Sequence, residues 1–98
     1  MRFEWDEAKN RLNLRNHGIG FEAAALVFDD AHALSYQDRE IDGEERWQTV
    51  GVIGESITIL VAHTYGQENG KEVIRIISAR KATPSERRAY EEGRWPPG

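Results

Sequence analysis

The stretch Val73–Tyr90, VIRIISARKATPSERRAY, decides the fold. Its first five residues, Val73-Ile74-Arg75-Ile76-Ile77, are β-branched apart from one arginine, the composition of a strand buried on both faces. The chain then passes Ser78, Ala79, Arg80 and Lys81 and reaches Thr83-Pro84-Ser85-Glu86, which reads as a helix start. Thr83 is placed as the N-cap, Pro84 fits the first helical position and Glu86 sits where a capping-box partner belongs. A core strand therefore runs into a helix, with Arg80 and Lys81 at the junction. Positive charge also collects here. Arg75, Arg80, Lys81, Arg87 and Arg88 face a single acid, Glu86, for a local charge of +4; the whole chain carries −4, so the remainder carries −8.

Upstream, the period is that of strands. Ile57–Tyr65, ITILVAHTY, is rich enough in β-branched residues for a sheet centre, and the polar segment Gly66–Gly70 returns it to the Val73 strand as a hairpin. Arg46–Ile53 and Ala33–Gln37 read as two further strands, separated by a charged connection with Asp42-Gly43 as its turn. Before Ala31 the pattern is helical. Asp6 caps a helix that runs to His17 and stops at Gly18, and Ala8, Leu12 and Ile19 fall on one side of it as the expected core face. Lys9, Asn13 and His17 form a stripe beside that face. A second helix is expected from Phe21 to Phe28, where Phe21, Ala24, Ala25 and Phe28 share a side. Gly18-Ile19-Gly20 is short enough to make the two helices a hairpin. Phe3 and Trp5 alternate with polar residues as a short leading strand. Together these give an α+β fold: an antiparallel sheet of about four to five strands packed on an N-terminal helical hairpin, with a C-terminal helix. Residues 95–98 are expected to form a loose tail.

Ninety-eight residues make one domain with one core, residues 1–98. The lack of cysteine removes disulfides, thiolate metal sites and cysteine nucleophiles, and it suits a cytoplasmic location. The first residues are too polar for a signal peptide, and no apolar run has membrane length. His17, His32 and His63 are scattered without paired ligand spacing, so no metal or other cofactor is expected. A net negative charge argues against a general nucleic-acid coat, while leaving room for one small basic cleft.

Three segments, FEWDEAKNRLNLRNHGIGFEAAALVF from Phe3, GEERW from Gly43 and IRIISARKATPSERRAYE from Ile74, resemble the BrnT family of bacterial type II toxins. The resemblance spans Phe3 to Glu91. It implies a RelE-like fold, a metal-independent ribonuclease that arrests translation, and a cognate BrnA-like antitoxin that neutralises it. Through that antitoxin alone the protein would touch DNA. One position departs from the pattern: Gly66 stands after Tyr65 where many relatives carry an arginine. That departure and the acidity feed a different reading, a non-catalytic module that only holds its DNA-binding partner. An enzyme for a small phosphorylated metabolite is a third, weakened by the lack of a glycine-rich phosphate loop.

Metal-free cleavage by the ribose 2′-hydroxyl needs a base, an acid for the leaving oxygen and cations for the developing charge. Arg80 and Lys81 are the leading candidates, as a phosphate clamp beside a helix N-terminus; the alternative is that Arg80 pairs with an acid such as Glu45. By strand parity Arg75 faces with Ile77 and Ala79, away from Ile76, Ser78 and Arg80, so it joins Arg80 in one cleft only if the strand bends or ends between them. Arg75 would otherwise serve structure or antitoxin pairing. His17 and Lys9 could transfer protons from the first helix; the alternative for His17 is that, in the last helical turn, it caps carbonyls and complements the dipole. Glu45 and Arg46 match the GEER segment of the family and would otherwise be a solvated strand start. His63 is expected in the core, and Tyr36 and Trp47 could stack on bases or pack.

Overall fold

The computed structural model describes residues 1–98. In chain order it contains β1 (Arg2–Glu4), α1 (Glu7–His17), α2 (Phe21–Ala25), a 3₁₀ turn (Leu26–Asp29), β2 (Leu34–Ile41), β3 (Glu44–Ile53), β4 (Ile57–Glu68), β5 (Lys71–Lys81) and α3 (Pro84–Glu91). The strands form one sheet in the order β1-β5-β4-β3-β2. β2 to β5 are an antiparallel meander, as sequential hairpins require. The sheet is nevertheless mixed rather than antiparallel throughout. β1 lies parallel to β5, with Phe3 opposite Ile74. The helical segment carries the chain from β1 to the far edge of the sheet, and four strands of meander bring it back running the same way.

Two helical expectations are corrected. The predicted helix Phe21–Phe28 ends at Ala25 and tightens into the 3₁₀ turn. The buried residues are Phe21, Ala24 and Val27, three apart, which is the period of the tighter helix. Val27 sits so close to β3 that a Cβ at Gly51 would lie 2.7 Å from its Cγ2, so glycine is what admits the turn to the sheet. On α1, Ala8 is exposed and Leu12 is 52% exposed, and Asn13 is the buried residue. The helix is seated by hydrogen bonds instead of an apolar stripe. Asn13 Nδ2 donates to the carbonyls of Ile19 and Ala79, and its Oδ1 accepts from the Ala79 amide. β1 is too short to pair with this end of β5, and the Asn13 carboxamide takes the place of the missing strand's peptide group.

The core lies between the sheet and the helical segment, and this side is the helical face. Ile59 and Val61 of β4 and Ile74, Ile76 and Ala79 of β5 meet Ile19, Phe21, Ala24 and Val27. Trp5 packs edge-on to Phe21 and Phe3 packs on Phe28, with ring centroids 6.1 and 5.5 Å apart. His63 is on this side too, fully buried, its Nε2 2.7 Å from Thr49 Oγ1. The alternation along β5 breaks once. Ser78 pairs with Ala62 and Ile76 with His63, so Ile77 is an extra residue, a β-bulge. The bulge lets Ile76 and Ala79, three apart, both face the core.

α3 begins as the sequence predicts, with a complete Thr83–Glu86 capping box and Pro84 in the first turn. It lies against β3 and covers one end of the opposite, open face. Asp30 fastens it: one carboxylate oxygen accepts from the Val52 amide and from the Tyr90 hydroxyl. Burial pushes Asp30 up, but the Tyr90, Val52 and His32 hydrogen bonds outweigh it, and its pKa is lowered. Beyond α3, Trp95 is half-buried, and Pro96, Pro97 and Gly98 line one hollow with Ser85, Arg88 and Ala89.

Candidate functional site

Strand pairing places residues on the open face in rows across the sheet. Arg75 of β5 lies opposite Thr64 of β4, and Arg46 of β3 lies opposite Arg39 of β2. Glu44, two residues before Arg46 on the same side, joins the halves. Its Oε1 accepts from Arg75 Nη2 at 2.5 Å and lies 3.6 Å from Arg46 Nη2. The three side chains are partly exposed, at 41% for Glu44, 41% for Arg75 and 27% for Arg46. Arg46 Nε is buried and has no partner. Beside them lies a hollow of about 150 Å³ lined by Glu4, Glu44, Thr64, Gly66, Val73 and Arg75, among others. Gly66 leaves it open: a Cβ there would meet only the Val73 carbonyl oxygen, at 3.9 Å. A carboxylate held between two forked cations on an open floor can accept a proton beside a bound phosphate.

The candidates named from sequence separate into three places. Arg46 and Arg75 are together at Glu44. The parity expected for Arg75 is overturned by the bulge at Ile77, because the extra residue puts Arg75, Ser78 and Arg80 on one face. Arg80 sits at the α3 end of that face. Its Nη1 and Nη2 bond both carboxylate oxygens of Glu86, at 2.7 and 2.9 Å, and Glu86 also accepts from the Thr83 amide. The Glu86 hydrogen bond raises the Arg80 pKa, and the Arg80 hydrogen bond lowers that of Glu86. Arg80 therefore pairs with an acid, as the alternative reading held, and the acid is Glu86 rather than Glu45. Lys81 is still within β5 and opposite Ile59, so it points to the other side of the sheet, and the two do not form one clamp. Glu45 is exposed on the other side as well, opposite Glu40.

Lys9 and His17 line a third place with Leu12, Asn13, Asn16, Ile77 and Ser78, a hollow of about 160 Å³ between α1 and the edge of β5. The residue missed from sequence is Glu44. Its signal was the two-residue period: in Gly43-Glu44-Glu45-Arg46, Glu44 and not Glu45 shares a face with Arg46. His63 lies outside all three places, and burial lowers its pKa to about 4. Trp47 packs edge-on to Tyr65, centroids 5.1 Å apart. No three His, Asp or Glu side chains converge as a metal-ligand set, and no helix is long and apolar enough to cross a membrane.

Comparison with known proteins agrees with these segments. A family model described as the ribonuclease toxin BrnT of type II toxin–antitoxin systems matches residues 5–86. No curated protein matches the chain. Among solved structures, the crystal structure of the Brucella abortus ribonuclease toxin BrnT is similar, with 30% identity and a TM-score of 0.63 over 85% of this chain and 97% of that one. The family match begins at Trp5, spans α1 through β5 and ends at Glu86 in the first turn of α3. This chain belongs to the BrnT family of ribonuclease toxins of type II toxin–antitoxin systems.

Proposed function

We propose that this chain is a RelE-like endoribonuclease that cleaves RNA without a metal, on the open face of its sheet, and that a BrnA-like antitoxin silences it by covering that face. The observation that carries the reading is the Arg46–Glu44–Arg75 cluster. A substrate phosphate takes the two guanidinium groups, which frees the Glu44 carboxylate. Glu44 accepts the proton of the ribose 2′-hydroxyl as that oxygen attacks phosphorus. Arg46 and Arg75 stabilise the charge that builds on the phosphate oxygens. The bond from phosphorus to the 5′-oxygen breaks, the leaving oxygen takes a proton from water, and a cyclic phosphate remains. Of the residues singled out from sequence, this mechanism uses Arg46 and Arg75. Arg80 is committed to Glu86, and Lys9 and His17 stand at the neighbouring edge.

Induction of the gene alone in bacteria tests the reading. The wild type should arrest growth and generate new RNA 5′ ends. Glu44→Gln and Arg75→Ala should abolish both, since loss of one such group costs on the order of a hundredfold in rate. Cleavage in vitro should persist in excess EDTA and leave cyclic or 3′-phosphate ends; activity restored only by added magnesium would overturn the metal-free mechanism. A second reading has its own support. Glu44 already neutralises both arginines, Gly66 contributes no cation, and the chain carries −4. A module that only binds its antitoxin would leave growth unhindered while the folded protein accumulates.

A further inference from the structure

One row along from the arginines, the open face is lower. Tyr36 pairs with Gln48, and Ala62 pairs with Ser78. The row runs Tyr36–Gln48–Ala62–Ser78 across four strands, and its two small residues leave a shallow trough over β4 and β5 that leads to Gln48 and Tyr36. The row is bounded by the Arg39–Arg46 and Thr64–Arg75 pairs on one side and by Leu60–Arg80 and Val50 under α3 on the other. With strands about 4.8 Å apart, the row is roughly 14 Å long. Its two ends differ. At the β2 end stands Tyr36, 40% exposed. The other strand aromatics, Phe3, Trp47 and Tyr65, all face the helical side, and Tyr36 alone makes no ring contact. The Gln48 amide beside it makes one hydrogen bond, to Asp38 at the limit of 3.5 Å. At the β5 end, Ser78 is shared with the hollow that holds Lys9 and His17.

We propose that this trough is a track for single-stranded RNA. An unpaired base stacks on Tyr36 with its edge to the Gln48 amide, and the backbone crosses Ala62 and Ser78 to a phosphate contact at Lys9. The proposal rests on the reading of the adjacent Arg46–Glu44–Arg75 cluster as the cleavage site. Tyr36 lies one strand over from Arg46 and two residues along, opposite Gln48, a separation that a nucleotide spans from phosphate to base. A flat ring on an open floor suits an unpaired base, since aromatic stacking accepts any base. A duplex offers no free base face to the ring.

The test uses the full chain and a fluorescent 2′-O-methyl oligoribonucleotide, which lacks the attacking hydroxyl and so reports binding without cleavage. The wild type should bind the single strand at least about tenfold more tightly than the same sequence as a duplex. Tyr36→Ala and Tyr36→Leu should each weaken single-strand binding about tenfold, and Tyr36→Phe should retain it. Lys9→Ala should weaken binding and flatten its salt dependence by about 0.7 in log–log slope, the value for one phosphate on a single strand. Tyr36→Leu keeps apolar bulk, so it reports on stacking if the alanine variant unfolds. Wild-type binding with Tyr36→Leu unchanged, or equal affinity for the duplex, would overturn the track. No binding by the wild type, together with no growth arrest, would overturn the cleavage reading on which it rests.

Discussion

At the scale of single residues, Arg80 and Gly66 show how neighbours set a role. Arg80 ends the strand and precedes the helix cap, which from sequence makes it the natural phosphate ligand. Both of its terminal nitrogens are instead bound by Glu86, whose other task is to complete the capping box. Arg80→Ala should therefore cost about 1 kcal/mol of stability, the range of a partly exposed ion pair, and leave RNA cleavage within a factor of a few. Urea titration and a cleavage assay on the same preparation would check both, and a hundredfold loss of rate in a folded variant would put Arg80 back in the site. Gly66 is the converse, a position where a side chain is absent and space is present. Gly66→Arg would add a cation beside Glu44 and Arg75. It should raise cleavage several-fold while leaving the melting temperature nearly unchanged, because the added chain meets no packed neighbour.

At the scale of elements, what was legible in the sequence is what periodicity encodes. The Val73 strand, the Thr83–Glu86 helix start, the meander and the α1 stop at Gly18 all follow from composition and caps. Three features were not legible. The parallel β1 depends on a partner some seventy residues away, which no local pattern records. The 3₁₀ turn after Ala25 depends on the clearance over Gly51. The seating of α1 depends on Asn13, a polar residue in a helix whose leucines face solvent. The candidate cluster was half legible for the same reason. Arg46 and Arg75 were singled out from sequence without their being neighbours, and Glu44 could be told from Glu45 only once the face of β3 was known. Asn13→Ala should cost about 2–4 kcal/mol, because it leaves the amide and carbonyl of Ala79 unpaired in a buried place. Hydrogen exchange should show Ala79 and the α1 amides losing protection while the β3–β4 amides keep theirs. Uniform loss across the sheet would mean that α1 and the sheet unfold as one unit.

At the scale of the whole molecule, stability should depend on pH through His63. In the unfolded chain it protonates near 6.5, and in the folded chain burial holds this to about 4. Between those values the unfolded state binds more protons, so stability falls as pH drops from about 6.5 to about 4, by up to about 3 kcal/mol. Below that window Asp30 and Glu86 add to the loss. Their lowered pKa values give stability that is present above the unfolded carboxylate value and disappears as pH falls through the folded one. Urea unfolding from pH 7.5 to 4.5 checks this, and His63→Gln should flatten the curve over that range. The sidedness of the molecule rests on something smaller still, the extra residue at Ile77. It lets Ile76 and Ala79 enter the core while Arg75 and Arg80 share the open face. In the language of sequence alignment, position 77 is one where the letter is free and the gap is forbidden. Exchanging Ile77 for valine or leucine should pass unnoticed, whereas deleting it would turn one end of β5 over, so that either the core loses its apolar residues or the open face loses its arginine.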